Sequence, residues 1–79
     1  MKIPTIKKLA ENETIADLKL AEEAILNEEQ PIIEVEGKDE GEKLTHVLAA
    51  IYIKEEMEKG ASFIDALRSY SARVRTSIS

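Results

Sequence analysis

The sequence predicts an all-α fold, a small helical bundle of three to four helices with a short extended segment near residues 32–36. Apolar residues recur three or four positions apart in four separate stretches, which is the spacing of a helix that buries one face. Residues that commonly cap helices precede several of these stretches, and only one short stretch alternates as a strand would. At 79 residues the chain is expected to form one helical domain, residues 1–79, with a small core.

The first two predicted helices lie in the N-terminal third of the chain. The first is expected from about Pro4 to Glu11, because a proline in the first turn lacks only an amide that would have no partner there. Thr14 is expected to cap the second helix, and Asp17 completes a capping-box pattern. This helix is expected to end at Pro31, since the residue before a proline avoids helical geometry.

A strand-like pattern follows Pro31. Ile33 and Val35 alternate with Glu34 and Glu36, which is typical of a half-buried strand. The chain offers this segment no evident strand partner. It is therefore either an extended connector or pairs with the same segment of another copy.

The third and fourth helices form the C-terminal half. The third is predicted from about Glu40 to Lys59, with Gly60 as its stop, and its centre is apolar on almost all sides. Ser62 is expected to cap the fourth helix, again with an acid three residues later. The apolar stripe of the fourth helix consists of Phe63, Leu67, Tyr70 and Val74.

Self-association is predicted from the third helix. A helix that is apolar all round must be surrounded on all sides, and three shorter helices offer little cover. We therefore expect a homodimer or higher oligomer that binds itself and, in addition, another protein; a compact four-helix monomer is the alternative. The expected interface combines residues of the third and fourth helices: Val47, Ile51, Tyr52, Phe63, Arg68, Arg73 and Arg75.

The charge is unevenly distributed along the chain. Of the 16 acidic residues that contribute to the net charge of −5, nine lie between Glu22 and Glu42, whereas arginines follow Asp65. Acidic proteins bind phosphate backbones poorly, so a nucleic-acid-binding regulator is only an alternative. The arginines near the C-terminus can instead receive an acidic partner, such as the segment from Glu34 to Glu42 of another copy.

The strongest candidate for chemistry is His46, which lies one helical turn after Glu42. A metal- or small-ligand-binding protein would use these two side chains with nearby carboxylates, but their spacing matches no established metal motif. The other interpretation is a histidine bonded to Glu42 or to a backbone carbonyl. Cysteine is absent, and no set of catalytic residues can be assembled, so neither an enzyme nor a cofactor is expected.

The distribution of apolar residues predicts a cytoplasmic protein without a membrane segment. The first residues lack the apolar centre of a signal peptide. The longest apolar run, Val47 to Ile53, is too short to span a bilayer.

Three segments carry a resemblance to known sequences: MKIPTIKKLA, GEKLTHVLAAIYI and ALRSYSARVRTSIS. Together they resemble a small family of uncharacterised proteins from Bacteroidetes-type bacteria, which are similarly short. The resemblance covers most of the chain except its acidic middle. It implies a cytoplasmic bacterial protein and no activity, cofactor or functional residue.

Overall fold

The computed structural model describes residues 2–78, with side chains for residues 2–73. Four helices lie within this part of the chain: α1 spans Ile3–Asn12, α2 Ile15–Leu26, α3 Glu40–Glu58 and α4 Phe63–Ile78. No strand forms among the described residues, and the all-α bundle predicted from the sequence is confirmed.

The longest helix, α3, is the centre of the bundle, because α1, α2 and α4 all pack against it. Two bonds fix α1 alongside α3 in the same direction: Lys2 contacts His46, and Ala10 contacts Lys54. The α4 helix returns along α3 in the opposite direction. As a result, the apolar faces of all four helices contribute to one core.

The predicted N-terminal caps are confirmed. The hydroxyl of Thr14 accepts a hydrogen bond from the amide of Asp17 at 3.1 Å, and the hydroxyl of Ser62 accepts one from the amide of Asp65 at 3.2 Å. Asp39 caps α3 in the same way, at 2.8 Å from the amide three residues later. Each cap satisfies an amide that would otherwise have no partner at a helix start.

The end of α2 differs from the prediction. The helix stops at Leu26 rather than at Pro31, because Glu28 adopts a left-handed conformation with φ of 60°. The amide of Glu28 donates to the carbonyl of Ile25 at 3.0 Å, and the next amide donates to the carbonyl five residues before it at 2.7 Å. This pair of bonds is the Schellman motif, which closes a helix without any help from proline.

A Schellman motif also ends α3, and there glycine occupies the left-handed position. Gly60 has φ of 108°, and its amide donates to the carbonyl of Met57. The amide of Ala61 donates to the carbonyl of Glu56. Gly60 is therefore the stop that the sequence predicted, and glycine adopts this conformation without steric cost.

The centre of α3 is covered by its own chain. Val47, Ala49, Ala50 and Ile53 are completely buried, and Ile51 is 8% exposed. The expectation that one copy cannot cover this helix is therefore wrong for these five residues, although Leu48, which lies between them in the sequence, remains 40% exposed. Val47 and Ile51, expected at an interface, lie in the core and are out of reach of a second copy while the bundle is folded.

The segment between α2 and α3, residues 27–39, is here called the connector. It contains neither helix nor strand, so the strand-like pattern near residues 32–36 produces an irregular path within one copy. Val35 is buried and Ile33 is half-buried, and both pack on the core. Ile32, by contrast, is 89% exposed, although it is as apolar as its neighbour.

Candidate functional site: the groove between helices three and four

An open groove of about 630 Å³ lies between α3 and α4. The residues that line it on the α3 side recur three or four positions apart, so they share one face of the helix. We call it the α3–α4 groove, and its lining consists of Leu48, Tyr52, Glu55, Glu56, Lys59, Tyr70 and Arg73.

A pair of tyrosines joins the two helices at this groove. The rings of Tyr52 and Tyr70 lie 5.5 Å apart between centroids and are tilted by 52°, an arrangement that favours contact between aromatic rings. Burial raises the pKa of Tyr70, which moves its titration still further above neutral pH. Among the described residues neither hydroxyl has a hydrogen-bond partner. Both hydroxyls can therefore donate to, and accept from, a bound molecule.

Charged side chains surround this aromatic pair. The guanidinium of Arg73 lies 5.7 Å from the ring centroid of Tyr52, within the range of a cation–π contact. The ammonium of Lys59 lies 3.6 Å from a carboxylate oxygen of Glu56 at the other end. One helical turn before Tyr52, Leu48 leaves 40% of its surface exposed. The groove thus combines an apolar floor with a polar rim.

The structure brings together only part of the predicted interface. Tyr52 and Arg73 line the groove, whereas Phe63 lies outside it beneath the ammonium of Lys7, at 5.9 Å from its ring centroid. Arg68 is exposed elsewhere on α4. The side chain of Arg75 lies outside the described residues.

Sequence reasoning missed Leu48 and Tyr70 as surface residues. Both belong to apolar stripes at helical spacing, and such a stripe indicates a core face without showing how far the neighbouring helix covers it. Tyr70 sits at the edge of the α3–α4 contact, and its partner Tyr52 comes from another helix. Their pairing depends on the packing of the two helices, which no local pattern encodes.

His46, the metal candidate, is completely buried and has backbone partners at both ring nitrogens. Nδ1 lies 2.8 Å from the carbonyl oxygen of Glu36, so Nδ1 carries the proton and donates. Nε2 accepts from the amide of Lys2 at 3.0 Å. Of the two interpretations of His46, the hydrogen-bonded one is confirmed, and its carbonyl partner belongs to the connector rather than to Glu42.

Local geometry explains how the connector reaches this histidine. A Cβ atom added to Gly37 would lie 2.9 Å from the backbone nitrogen of Lys43, so only glycine allows the connector to pass this close to α3. The carboxylate of Glu42 accepts a hydrogen bond from the amide of Lys38 at 2.9 Å. This bond is the main cause of the lowered pKa of Glu42.

A metal site would need further ligands beside His46. The described residues contain no group of three or more His, Cys, Asp or Glu side chains that could hold a metal ion. Both ring nitrogens of His46 already have backbone partners, so a metal would have to displace one of them. His46 therefore serves as a link between α1, the connector and α3.

No helix in the described part of the chain combines the length and the apolar character needed to cross a membrane.

Comparison with known proteins places the chain in a family. Comparison with curated proteins and with solved structures gave no match. A family model matches residues 1–79, including the acidic middle that the sequence resemblance left out. The chain belongs to DUF6952, a family of unknown function.

Proposed function

We propose that the protein is a small helical protein–protein interaction module that binds through the α3–α4 groove. The observation that carries this proposal is the tyrosine pair, Tyr52 and Tyr70, next to Arg73 and the exposed Leu48. Tyrosine and arginine are among the residue types most enriched at the energetic centres of protein interfaces. The proposed role is binding, without catalysis.

The shape of the groove supports a macromolecular partner. Sites for small molecules usually enclose most of the ligand, whereas this groove is open along the surface of two helices. A helix or an extended segment of a partner can lie along such a groove and place apolar side chains on its floor. The hydroxyls of Tyr52 and Tyr70 would then form polar contacts at the centre of the interface.

A specific feature argues against nucleic acid as the partner. A recognition helix reads bases mainly with its first residues, and α4 begins with Phe63, the half-exposed Ile64 and the acidic Asp65. The side chains of these three residues provide neither a cation for phosphate nor a donor for a base edge. The start of α4 therefore does not favour a role as a nucleic-acid-binding regulator.

Site-specific photo-crosslinking tests the proposal. A photoreactive phenylalanine is introduced at Leu48 in the groove and, as a matched control, at Leu20 on α2, which is 51% exposed. We expect a discrete protein adduct from position 48 in native cells and none from position 20. The adduct should weaken when Tyr70→Ala is added, because this change removes half of the tyrosine pair.

Two results would contradict the proposal. The same adducts at positions 48 and 20 would show that any exposed apolar residue reacts equally. Adducts at position 48 that persist unchanged with Tyr70→Ala would show that the tyrosine pair does not contribute. Circular dichroism of each variant establishes that the helices are intact before the crosslinks are compared.

A further inference from the structure

We infer that the α3–α4 groove receives the connector of a second copy, with Ile32 inserted against Leu48 and the tyrosine pair. This inference rests on the proposed function of the groove and names its partner. The contact does not involve Val47 and Ile51, because both are buried in the core of one copy.

Ile32 is presented to solvent by a connector that is held in place. Ile32 is 89% exposed, whereas Val35 three residues later is 7% exposed and packs on the core. The carbonyl of Glu36 is bound by His46 at 2.8 Å. Because these anchors already order the connector, insertion of Ile32 into a partner costs little additional conformational entropy.

At the Arg73 end of the groove, charge complementarity favours an acidic occupant. Exposed carboxylates lie on both sides of Ile32, namely Glu28 and Glu29 before it and Glu34 after it. The guanidinium of Arg73 lies beside the tyrosine pair of the groove. Opposite charges at the rim of an interface steer the two surfaces together and fix their orientation.

The acids of the groove determine which end the connector approaches. Glu56 has Lys59 as its ion-pair partner, at 3.6 Å, and Glu55 is exposed near it. This end would repel an acidic segment. The carboxylate of Glu34 is therefore expected at the opposite end, next to Arg73, while Ile32 occupies the floor beside Leu48.

Reciprocal insertion produces a closed dimer. Each copy carries one connector and one groove, so a two-fold axis allows both insertions at once and leaves no groove unfilled. The volume of about 630 Å³ gives room for an isoleucine side chain with its adjoining backbone. We therefore expect a dimer, rather than a growing chain of copies.

Sedimentation equilibrium of the full chain tests this arrangement. Replacing Ile32 by Ser removes the inserted side chain and should weaken dimerisation by at least about tenfold, since burial of an isoleucine contributes roughly this factor or more. The matched control, Leu20→Ser, removes an exposed apolar residue outside the groove and should change the dissociation constant by less than about twofold.

A charge exchange tests the orientation. Arg73→Glu and Glu34→Arg should each weaken the dimer, and the double variant should recover most of the loss, because the pair is restored with its signs reversed. Combining Arg73→Glu with Glu29→Arg, which changes an acid on the other side of Ile32, should give no such recovery. This comparison separates a specific pair from the effect of net charge.

The outcomes distinguish this inference from the proposed function. A strictly monomeric chain that still crosslinks another protein from position 48 overturns the self-insertion and leaves the groove as a binding site. A dimer that is insensitive to Ile32→Ser, or equally sensitive to Leu20→Ser, overturns the inference as well. Assembly beyond a dimer contradicts the reciprocal arrangement.

Discussion

The link made by His46 provides the sharpest test of the fold. Replacing His46 by Leu fills this completely buried position with an apolar side chain and removes both hydrogen-bonding nitrogens. The amide of Lys2 and the carbonyl of Glu36 then lose their partners. An unsatisfied backbone group costs about 1–3 kcal/mol when it is buried. Both residues lie at the surface, where water can reach them, so the lower part of this range applies to each.

The expected loss is therefore about 2–3 kcal/mol for His46→Leu. A chain of 79 residues has a free energy of unfolding of about 4–12 kcal/mol, so the variant should still fold but melt much earlier. With a shift of about 4–8 °C per kcal/mol for a domain of this size, the melting temperature should fall by roughly 10–20 °C. Thermal denaturation followed by circular dichroism measures this shift.

Two conservative variants separate the two bonds. The side-chain amide of His46→Asn can occupy the place of Nδ1 and donate to Glu36, whereas that of His46→Gln can reach the place of Nε2 and accept from Lys2. Each should lose about half as much stability as His46→Leu. Hydrogen exchange adds a local measurement: the amide of Lys2 should lose protection in His46→Asn and keep it in His46→Gln.

A neighbouring position gives the control. Thr45→Ala changes an exposed residue of the same helix, whose hydroxyl donates only to the carbonyl of Gly41, and should shift stability by no more than about 0.5 kcal/mol. If His46→Leu melts at the temperature of the wild-type protein, the two backbone bonds do not stabilise the fold. The inferred link between α1, the connector and α3 would then be wrong.

Three further predictions follow from burial, charge and backbone geometry. Val47→Asp places a charge in the core and should unfold the monomer, with loss of the helical circular dichroism signal, whereas Leu48→Asp, one position later at the surface, should keep it. The pKa of Glu42 is lowered in the folded state, so its carboxylate contributes fully to stability above pH 4.5, and this contribution is lost as the pH falls through the folded pKa. Glu42→Gln should therefore flatten the decline of the melting temperature at acid pH. An unchanged dependence of the melting temperature on pH would contradict the role of the bond between Glu42 and the amide of Lys38. Glu28→Gly should raise the melting temperature, because glycine adopts φ of 60° without the strain of about 1 kcal/mol that glutamate carries; a lower melting temperature would contradict this.

The helices were predictable because their signals are local. Thr14 and Ser62 stand directly before their helices, and a hydroxyl there bonds an amide three residues away whatever the rest of the chain does. Gly60 is equally local, since the left-handed conformation suits glycine at any helix end. Pro31 predicted the wrong end for α2, because the left-handed conformation of Glu28 ends the helix before the proline is reached.

The burial of α3 was not predictable from its own sequence. An apolar surface on all sides shows that cover is needed, but not whether three short helices supply it. Ala49 and Ala50 are small and completely buried, which lets neighbouring helices approach the axis of α3 closely. A narrow central helix needs less cover than a wide one, so one copy suffices. Leu48 and Tyr52 nevertheless lie at the open edge between α3 and α4.

The burial of the core residues decides which residues could take part in the proposed binding. A dimer held together by Val47 and Ile51 would have coupled folding to assembly, since neither residue is accessible in a folded copy. The residues that remain outside, Leu48 and Ile32, contribute little to the core and can change without loss of the fold. Variants at these positions should therefore alter binding at nearly constant stability, whereas variants at Val47 should alter stability first. Under the proposed function, this separation would let a chain of 79 residues keep its fold while the surface that contacts a partner changes.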